Sequence, residues 1–338
     1  MSFVTFENVD NWGVITLQKP KTLNALDLNM VLAIRQFLRQ AERNSDIQGI
    51  LFQSSVSDIF CAGGDIKAVY QWYTTGDQAA LFRYIEEEYG LNQQIKNFSK
   101  PTVAIMDGLT LGGGVGLSRY TDYRIVSDTA LVGMPEIKIA FFPDVGAGYF
   151  LNLLASPLAR FLALTGVVLK GNDLVSLGYA THITASSHIL RLRDEILEIK
   201  PNEIDKILPS SYITDSKLDY LLPIINCFRQ ASLLECLDAL KICKHPEAED
   251  FYTELRKFSP LALHIVWRYM DITCGLKYED VLEIDLNLAK QMFKNSDVPE
   301  GIRTRLIDKG DQPKWRYPQI EDVSKDDIDP YFQTLQAL

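Results

Sequence analysis

Histidine is scarce in this sequence and cysteine is scattered. The 338 residues hold 4 histidines and 5 cysteines. The histidines show no metal-ligand spacing, and Cys61, Cys227, Cys236, Cys243 and Cys274 form no Cys-x-x-Cys pair. This argues against a zinc site and a disulfide framework, and a reducing compartment is expected. Long basic runs are missing too. With 34 basic and 44 acidic residues the formal charge is −10, so nucleic acid is not an expected partner. A phosphate-rich ligand stays compatible, because a local cluster of lysines or N–H groups can override the global sign. No uninterrupted apolar span suits a membrane, and no signal peptide or Arg-rich transit segment is visible. Gln336-Ala337-Leu338 is not a peroxisomal address, so a cytoplasmic location is expected. What remains is ordinary globular composition, 47% hydrophobic and 23% charged, enough for a sizeable core in one large domain or two.

The first half alternates strand-like and helix-like stretches. Val14-Ile15-Thr16-Leu17, residues 49–53, Thr102-Val103-Ala104-Ile105-Met106, residues 123–126 and residues 130–132 read as strands. Asn24, with Asp27 three residues on, reads as the cap of a helix that places Val31, Ile34, Phe37, Leu38 and Ala41 on one face. A second helix is expected over residues 84–95. Such alternation implies an α/β fold with mostly parallel pairing. Beyond about Asp173 the pattern turns helical: 188–200, 230–243, 247–258, 260–273 and 278–294. The expected organisation is a core over 1–185 and a helical C-terminal region over 186–338. Trp315 and Tyr317 suggest that the polar tail docks.

Three segments carry candidate chemistry. Phe60-Cys61-Ala62-Gly63-Gly64-Asp65-Ile66-Lys67 and Gly108-Leu109-Thr110-Leu111-Gly112-Gly113-Gly114-Val115-Gly116-Leu117 each lead from a strand into a helix. Glycines there let a ligand approach the backbone, and free N–H groups at the helix start can face an oxyanion or phosphate. A plain tight turn accounts equally well for the first segment, and close helix packing for the second. A nucleotide-binding turn is the third option, weakened by the lack of a suitably placed acidic residue. The third segment, Met134-Pro135-Glu136 through Phe141-Phe142-Pro143-Asp144-Val145-Gly146-Ala147-Gly148, sets two carboxylates in apolar company. Such surroundings suit acid–base work. Simple capping by Asp144 and a Glu136–lysine pair are the alternatives.

In order and spacing the three segments resemble the crotonase (enoyl-CoA hydratase/isomerase) superfamily. The resemblance implies a β-β-α spiral with a helical C-terminal region. It also implies an acyl-CoA substrate and an oxyanion hole made by the backbone amides of Gly64 and Gly113. Coenzyme A is then part of the substrate, and no cofactor is expected. Three residues after Gly113, where hydratases carry the first of two glutamates, stands Gly116; the second glutamate corresponds to Glu136. That combination, with Asp144 further on, is similar to the 3-hydroxyisobutyryl-CoA hydrolases within the superfamily. Thr22-Leu23-Asn24-Ala25-Leu26, Glu87-Glu88-Tyr89-Gly90-Leu91-Asn92, Phe161-Leu162-Ala163-Leu164-Thr165-Gly166 and the stretch from Glu300 to Trp315 extend it along the chain. Ala147 departs from the hydrolases, which carry glycine there.

The resemblance implies thioester hydrolysis in valine degradation. An enoyl-CoA hydratase or isomerase, or a CoA-binding protein without catalysis, are the competing readings. Lys21, Leu23, Ala25, Ala62, Asp65 and Ile66 are expected around coenzyme A. Lys19, Lys21 and Lys67 read as solvated surface lysines that are also in reach of its phosphates. Glu88 is expected beside the acyl group, although a solvated position in the Glu86-Glu87-Glu88 run fits as well. No histidine lies in the three segments to activate Cys61 or a serine, so the carboxylates are the remaining catalytic candidates. Glu136 is expected to attack the carbonyl or activate water. Asp144 is expected to orient that water or the substrate hydroxyl and to protonate the leaving thiolate. A homo-oligomer is compatible with the sequence.

Overall fold

The computed structural model describes residues 3–208 and 216–333; the C-terminal Gln336-Ala337-Leu338 lies outside them. Nine strands are described: β1 (Val4–Val9), β2 (Trp12–Leu17), β3 (Gly49–Ser54), β4 (Ile59–Cys61), β5 (Thr102–Met106), β6 (Leu109–Leu111), β7 (Tyr123–Ser127), β8 (Leu131–Gly133) and β9 (His182–Thr184). They form one sheet in the order β1-β2-β3-β5-β7-β9 and a second in the order β4-β6-β8. Among the described strands β1 and β2 pair antiparallel, and the other strand-to-strand pairings are parallel. Each successive pair of strands, β3–β4, β5–β6 and β7–β8, puts one strand in each sheet. That is the spiral β-β-α repeat of the crotonase fold.

Strands covered on both faces read as unbroken apolar runs. Gly49-Ile50-Leu51-Phe52 and all of β5 are buried. The helix Leu28–Arg43 begins at Asp27, whose carboxylate accepts from the Met30 N–H at 2.9 Å. Asn24 is therefore not the cap. It is wholly buried, accepts from the Lys19 N–H at 2.7 Å and donates to Ser54 Oγ and the Phe60 carbonyl. At the other end of that helix, the Lys100 ammonium donates to the carbonyls of Ala41, Asn44 and Ile47. A cation there satisfies orphan carbonyls and complements the helix dipole.

The chain forms two compact units that interleave along the sequence. One gathers Met1–Asp65, Glu86–Gly133 and Val168–Ser216; the other gathers Ile66–Ile85, Met134–Val167 and Lys217–Leu338. A single boundary at residue 185 does not separate them, and the reason lies in the first core. The helix Ser186–Glu198 buries Ile189, Leu192 and Ile196 against Trp12, Val14, Leu51, Val103 and Ile125 of the main sheet. Trp12 is fully buried and its indole N–H reaches the Ile199 carbonyl at 2.9 Å.

The second unit is mainly helical. Helices Leu233–Ile242, Ala248–Leu255, Pro260–Ile272 and Tyr278–Asn295 follow the periodicity of the sequence closely. Within it the Trp315 indole donates to the Lys257 carbonyl at 3.0 Å, which docks the tail. No helix among the described residues is long and apolar enough to cross a membrane.

Because Ile196 fills the core of the first unit, Ile196→Ala is expected to cost about 2–5 kcal/mol. Urea unfolding followed by tryptophan fluorescence measures it; a loss below about 1 kcal/mol would show that Ser186–Glu198 contributes little to that core.

Candidate functional site

In the first unit the site begins with the loop between β2 and the helix Leu28–Arg43. Leu23 and Asn24 both adopt left-handed backbone, with φ of 53° and 58°. The loop is sewn to the strand-to-helix turn after β4. Ala62 N–H donates to Leu23 O, Leu26 N–H to Gly63 O, and Asp65 N–H to Leu26 O, at 2.8–3.0 Å. Across the same junction Lys19 Nζ pairs with Asp27 at 2.8 Å and Asp65 at 2.9 Å, and reaches Ala25 O at 3.2 Å. The Lys19 side chain is only 9% exposed. Burial opposes its charge, but the hydrogen bonds it donates to Asp27 and Asp65 outweigh that and hold its pKa above the ordinary lysine value. Lys19 is thus no surface lysine; its charge is committed to the protein. Lys21 and Lys67 are exposed, and so is Leu23, while Ala25, Ala62, Asp65 and Ile66 are half-buried. Ile66 opens the helix Ile66–Thr75.

Gly63 takes φ of 100°, and the turn brings Gly64 against the start of the helix Gly113–Arg119. A Cβ on Gly113 would stand 3.2 Å from Gly64 N and collide with Glu88 Oε1; one on Gly63 would stand 3.5 Å from Gly113 N. Gly114 is small for a separate reason, since its Cβ would meet Cys61 Cβ at 2.8 Å. Close packing of the protein thus accounts for the lack of a side chain at both positions, by Glu88 and Gly64 at Gly113 and by Cys61 at Gly114. The parallel bridge between Leu26 and Gly64 uses the groups on either side of Gly64 and leaves its own N–H aside. Gly113 is the first residue of its helix, where an N–H has no intrahelical acceptor. Among the described residues neither N–H donates to a protein acceptor. Two backbone donors without a protein acceptor therefore lie near each other at this junction.

Glu88, on the helix Gln78–Lys96, is 6% exposed and belongs to this cluster rather than to the solvated face of its acidic run. Its neighbour Glu87 pairs with Arg35. Cys61 is fully buried; burial, with the Glu88 charge adding, pushes its thiol up to about 12. A thiol held protonated is a poor nucleophile.

Glu136 and Asp144 lie in the second unit. Glu136 opens the short 3-10 turn Glu136–Ile139, which ends at Ala140 in left-handed backbone with φ of 58°. Both carboxylate residues are half-buried while Phe141, Phe142, Pro143, Val145, Gly146 and Ala147 are buried. Val145 has φ of 51° and Gly146 φ of 81°. A β-branched residue in that region is an outlier costing about 1–3 kcal/mol, and surrounding structure must impose it. Asp144 is not the cap of the next helix. That helix is Ala147–Leu151, its cap is Gly146, and the Gly146 N–H donates to Asp285 Oδ2 at 2.8 Å.

Sequence reasoning missed Asp285 and Tyr269. Both are fully buried. Tyr269 OH donates to Asp285 Oδ1 at 2.6 Å and accepts from the Gly148 N–H at 2.8 Å. Burial raises the Asp285 carboxyl well above the ordinary range; the bonds from Tyr269 and Gly146 oppose this and the Asp144 charge adds to it. A signal was present, because Asp285 interrupts the buried stripe Val281, Leu282, Leu288, Ala289 and Met292 of Tyr278–Asn295. Tyr269 gives none among the apolar residues of Pro260–Ile272.

Residues 12–332 match the family model described as Enoyl-CoA hydratase/isomerase. The chain belongs to this family. Among curated members, the rat protein named "3-hydroxyisobutyryl-CoA hydrolase, mitochondrial" is 38% identical over 96% of this chain and 86% of its own length. The zebrafish (Danio rerio) protein of the same name is 36% identical over 99% and 90%. Among solved structures of the family, a carnitinyl-CoA dehydratase from Mycobacterium thermoresistibile superposes with a TM-score of 0.92. It shares 29% identity over 98% of this chain and 96% of its own. An enoyl-CoA hydratase from Rhodobacter sphaeroides gives 0.91 at 29% identity, over 98% and 97%.

Lys19→Met would strand two carboxylates at the junction that shapes the Gly63–Gly64 turn. We expect a loss of about 2–4 kcal/mol, because removing one partner of a buried pair leaves uncompensated charge and both carboxylates here keep some water. Chemical denaturation checks it, and a loss under about 1 kcal/mol would mean the pair is dispensable.

Proposed function

We propose that the protein hydrolyses an acyl-CoA thioester, with 3-hydroxyisobutyryl-CoA as substrate and 3-hydroxyisobutyrate and CoA as products in valine degradation. The observation that carries this reading is the juxtaposition of the Gly64 and Gly113 N–H groups with no protein acceptor for either among the described residues. A thioester oxygen gains negative charge when its carbon is attacked, and fixed N–H dipoles stabilise it without reorganising. The hydrolase names of the curated relatives support the choice of reaction.

Hydrolysis adds water across the carbonyl carbon and breaks the C–S bond, and the thiolate leaves with a proton. We assign Glu136 to attack the carbonyl carbon or to draw the proton from the attacking water. Asp144 orients that water or the substrate hydroxyl and returns a proton to the thiolate. Glu88 receives the acyl hydroxyl: a buried carboxylate offers several acceptor sites and favours acyl groups that bring a donor. The loop carrying Lys21, Leu23 and Ala25, with Ala62, Asp65 and Ile66, takes the nucleotide end of coenzyme A. Its exposed Leu23 and Lys21 and its fixed carbonyls suit an adenine and ribose.

The hydratase and dehydratase titles of the solved relatives favour a second reading, addition of water to an enoyl-CoA. Gly116 weighs against it, since a glycine cannot transfer a proton where hydratases place a glutamate.

Free thiol release from a panel of acyl-CoA esters separates the two, because hydration would instead change the enoyl absorbance. We expect Glu136→Gln to abolish thiol release with CoA binding retained. Asp144→Asn and Gly113→Val are each expected to lose on the order of 10² or more in kcat. Near-normal turnover by Glu136→Gln would reject the mechanism, and by a folded Gly113→Val the oxyanion hole. For Glu88→Ala, the loss should fall on hydroxylated acyl groups; an equal loss on unhydroxylated ones would rule out a hydroxyl contact.

A further inference from the structure

We infer that Tyr269 and Asp285 are positioning residues for Asp144, holding the turn that presents its carboxylate. The inference rests on the role given to Asp144 above. Asp144 sits in a turn fastened at both ends to the second unit's core. Before it, Phe142 lies edge-on to the Tyr269 ring at 4.9 Å between centroids, and Phe141 packs on Phe293 at 5.6 Å. After it, Gly146 N–H is held by Asp285 and Gly148 N–H by Tyr269, while Tyr269 and Asp285 bond each other at 2.6 Å. Tyr269 thus touches both sides of the turn, through its ring and its hydroxyl.

Gly148 completes the fastening: a Cβ there would meet Tyr269 OH at 2.5 Å and Thr273 Oγ1 at 2.8 Å. Asn152 adds a further tie, donating to Gly148 O, Met270 O and Thr273 Oγ1 at 2.9–3.0 Å. Between these anchors the backbone adopts left-handed conformations at Val145 and Gly146 that it would leave if released.

An interior acid is a costly way to hold one N–H group, because desolvation disfavours its charge. Both oxygens of Asp285 are occupied as acceptors, by a backbone donor two residues from Asp144 and by a hydroxyl that passes the constraint to Gly148. The arrangement fixes backbone direction on the far side of Asp144. Neither residue is assigned contact with substrate.

The test is a double-mutant cycle on thiol release from 3-hydroxyisobutyryl-CoA, with folding and CoA binding checked for each variant. Tyr269→Phe keeps the ring and removes the hydroxyl; Asp285→Asn keeps the shape and replaces one of the two acceptor oxygens with an NH2 donor. A residue acting through Asp144 should lower kcat and leave KM nearly alone. We expect each single change to reduce kcat roughly tenfold, and Tyr269→Phe to have less than about a twofold effect once Asp144 is Asn. A merely structural residue would act in full in both backgrounds. Full multiplicativity with Asp144→Asn would overturn the inference, as would intact turnover in folded Tyr269→Phe and Asp285→Asn. Intact turnover in Asp144→Asn alone would instead overturn the assignment of Asp144 itself.

Discussion

An ammonium group taken out of water keeps its charge only where carboxylates and carbonyls replace the solvent. Lys19 is in that position, with Asp27 and Asp65 on its nitrogen. Asp27 is also the cap of the helix Leu28–Arg43, and Asp65 closes the turn that carries Gly63 and Gly64. One buried cation therefore couples a helix start, the Leu23–Leu26 loop and the Gly64 backbone. Rotation of that turn by one peptide would redirect the Gly64 N–H away from its neighbour on Gly113. The charge is spent on shape, and coenzyme A phosphates must find other partners.

The absence of a side chain at Gly113 follows from crowding at the same junction. Gly64 N and Glu88 Oε1 already occupy the space a Cβ would need. Donors and an acceptor thus meet within a few ångströms, a combination that suits a substrate bearing both a carbonyl and a hydroxyl. Cys61, immediately beneath, is kept protonated by burial and by the Glu88 charge, which removes a competing nucleophile.

Much of this was legible in the residue order. The long helices of the second half followed from apolar periodicity, and β2, β3, β5 and β7 from β-branched runs. The short strands β4 and β6 were not read as separate strands because they run directly into glycine-rich turns, whereas the equally short β8 was read from its apolar run. Gly64, Gly113, Glu136 and Asp144 were singled out by the resemblance of their motifs to the family, and their neighbours in sequence determine the local turns in which the structure places them. Lys19 and Asp285 were harder for the opposite reason. Their roles depend on groups 46 and 139 residues away, Asp65 and the Gly146 N–H. The place of Ser186–Glu198 was hidden for the same reason: a helix looks alike in sequence whether it covers Trp12 or packs with other helices.

The interleaving of the two units also sets an order of events for a chain leaving the ribosome. The main sheet gains its last strand only at His182–Thr184, and the face around Trp12 is covered only by Ser186–Glu198. Asp285 emerges more than a hundred residues after the turn it fastens. The nascent chain therefore carries strand edges and apolar surface through most of synthesis, with closure depending on distant contacts. Folding of this kind is slow and exposed to misassociation. Truncation near residue 185 would leave the first unit with its hydrophobic face bare.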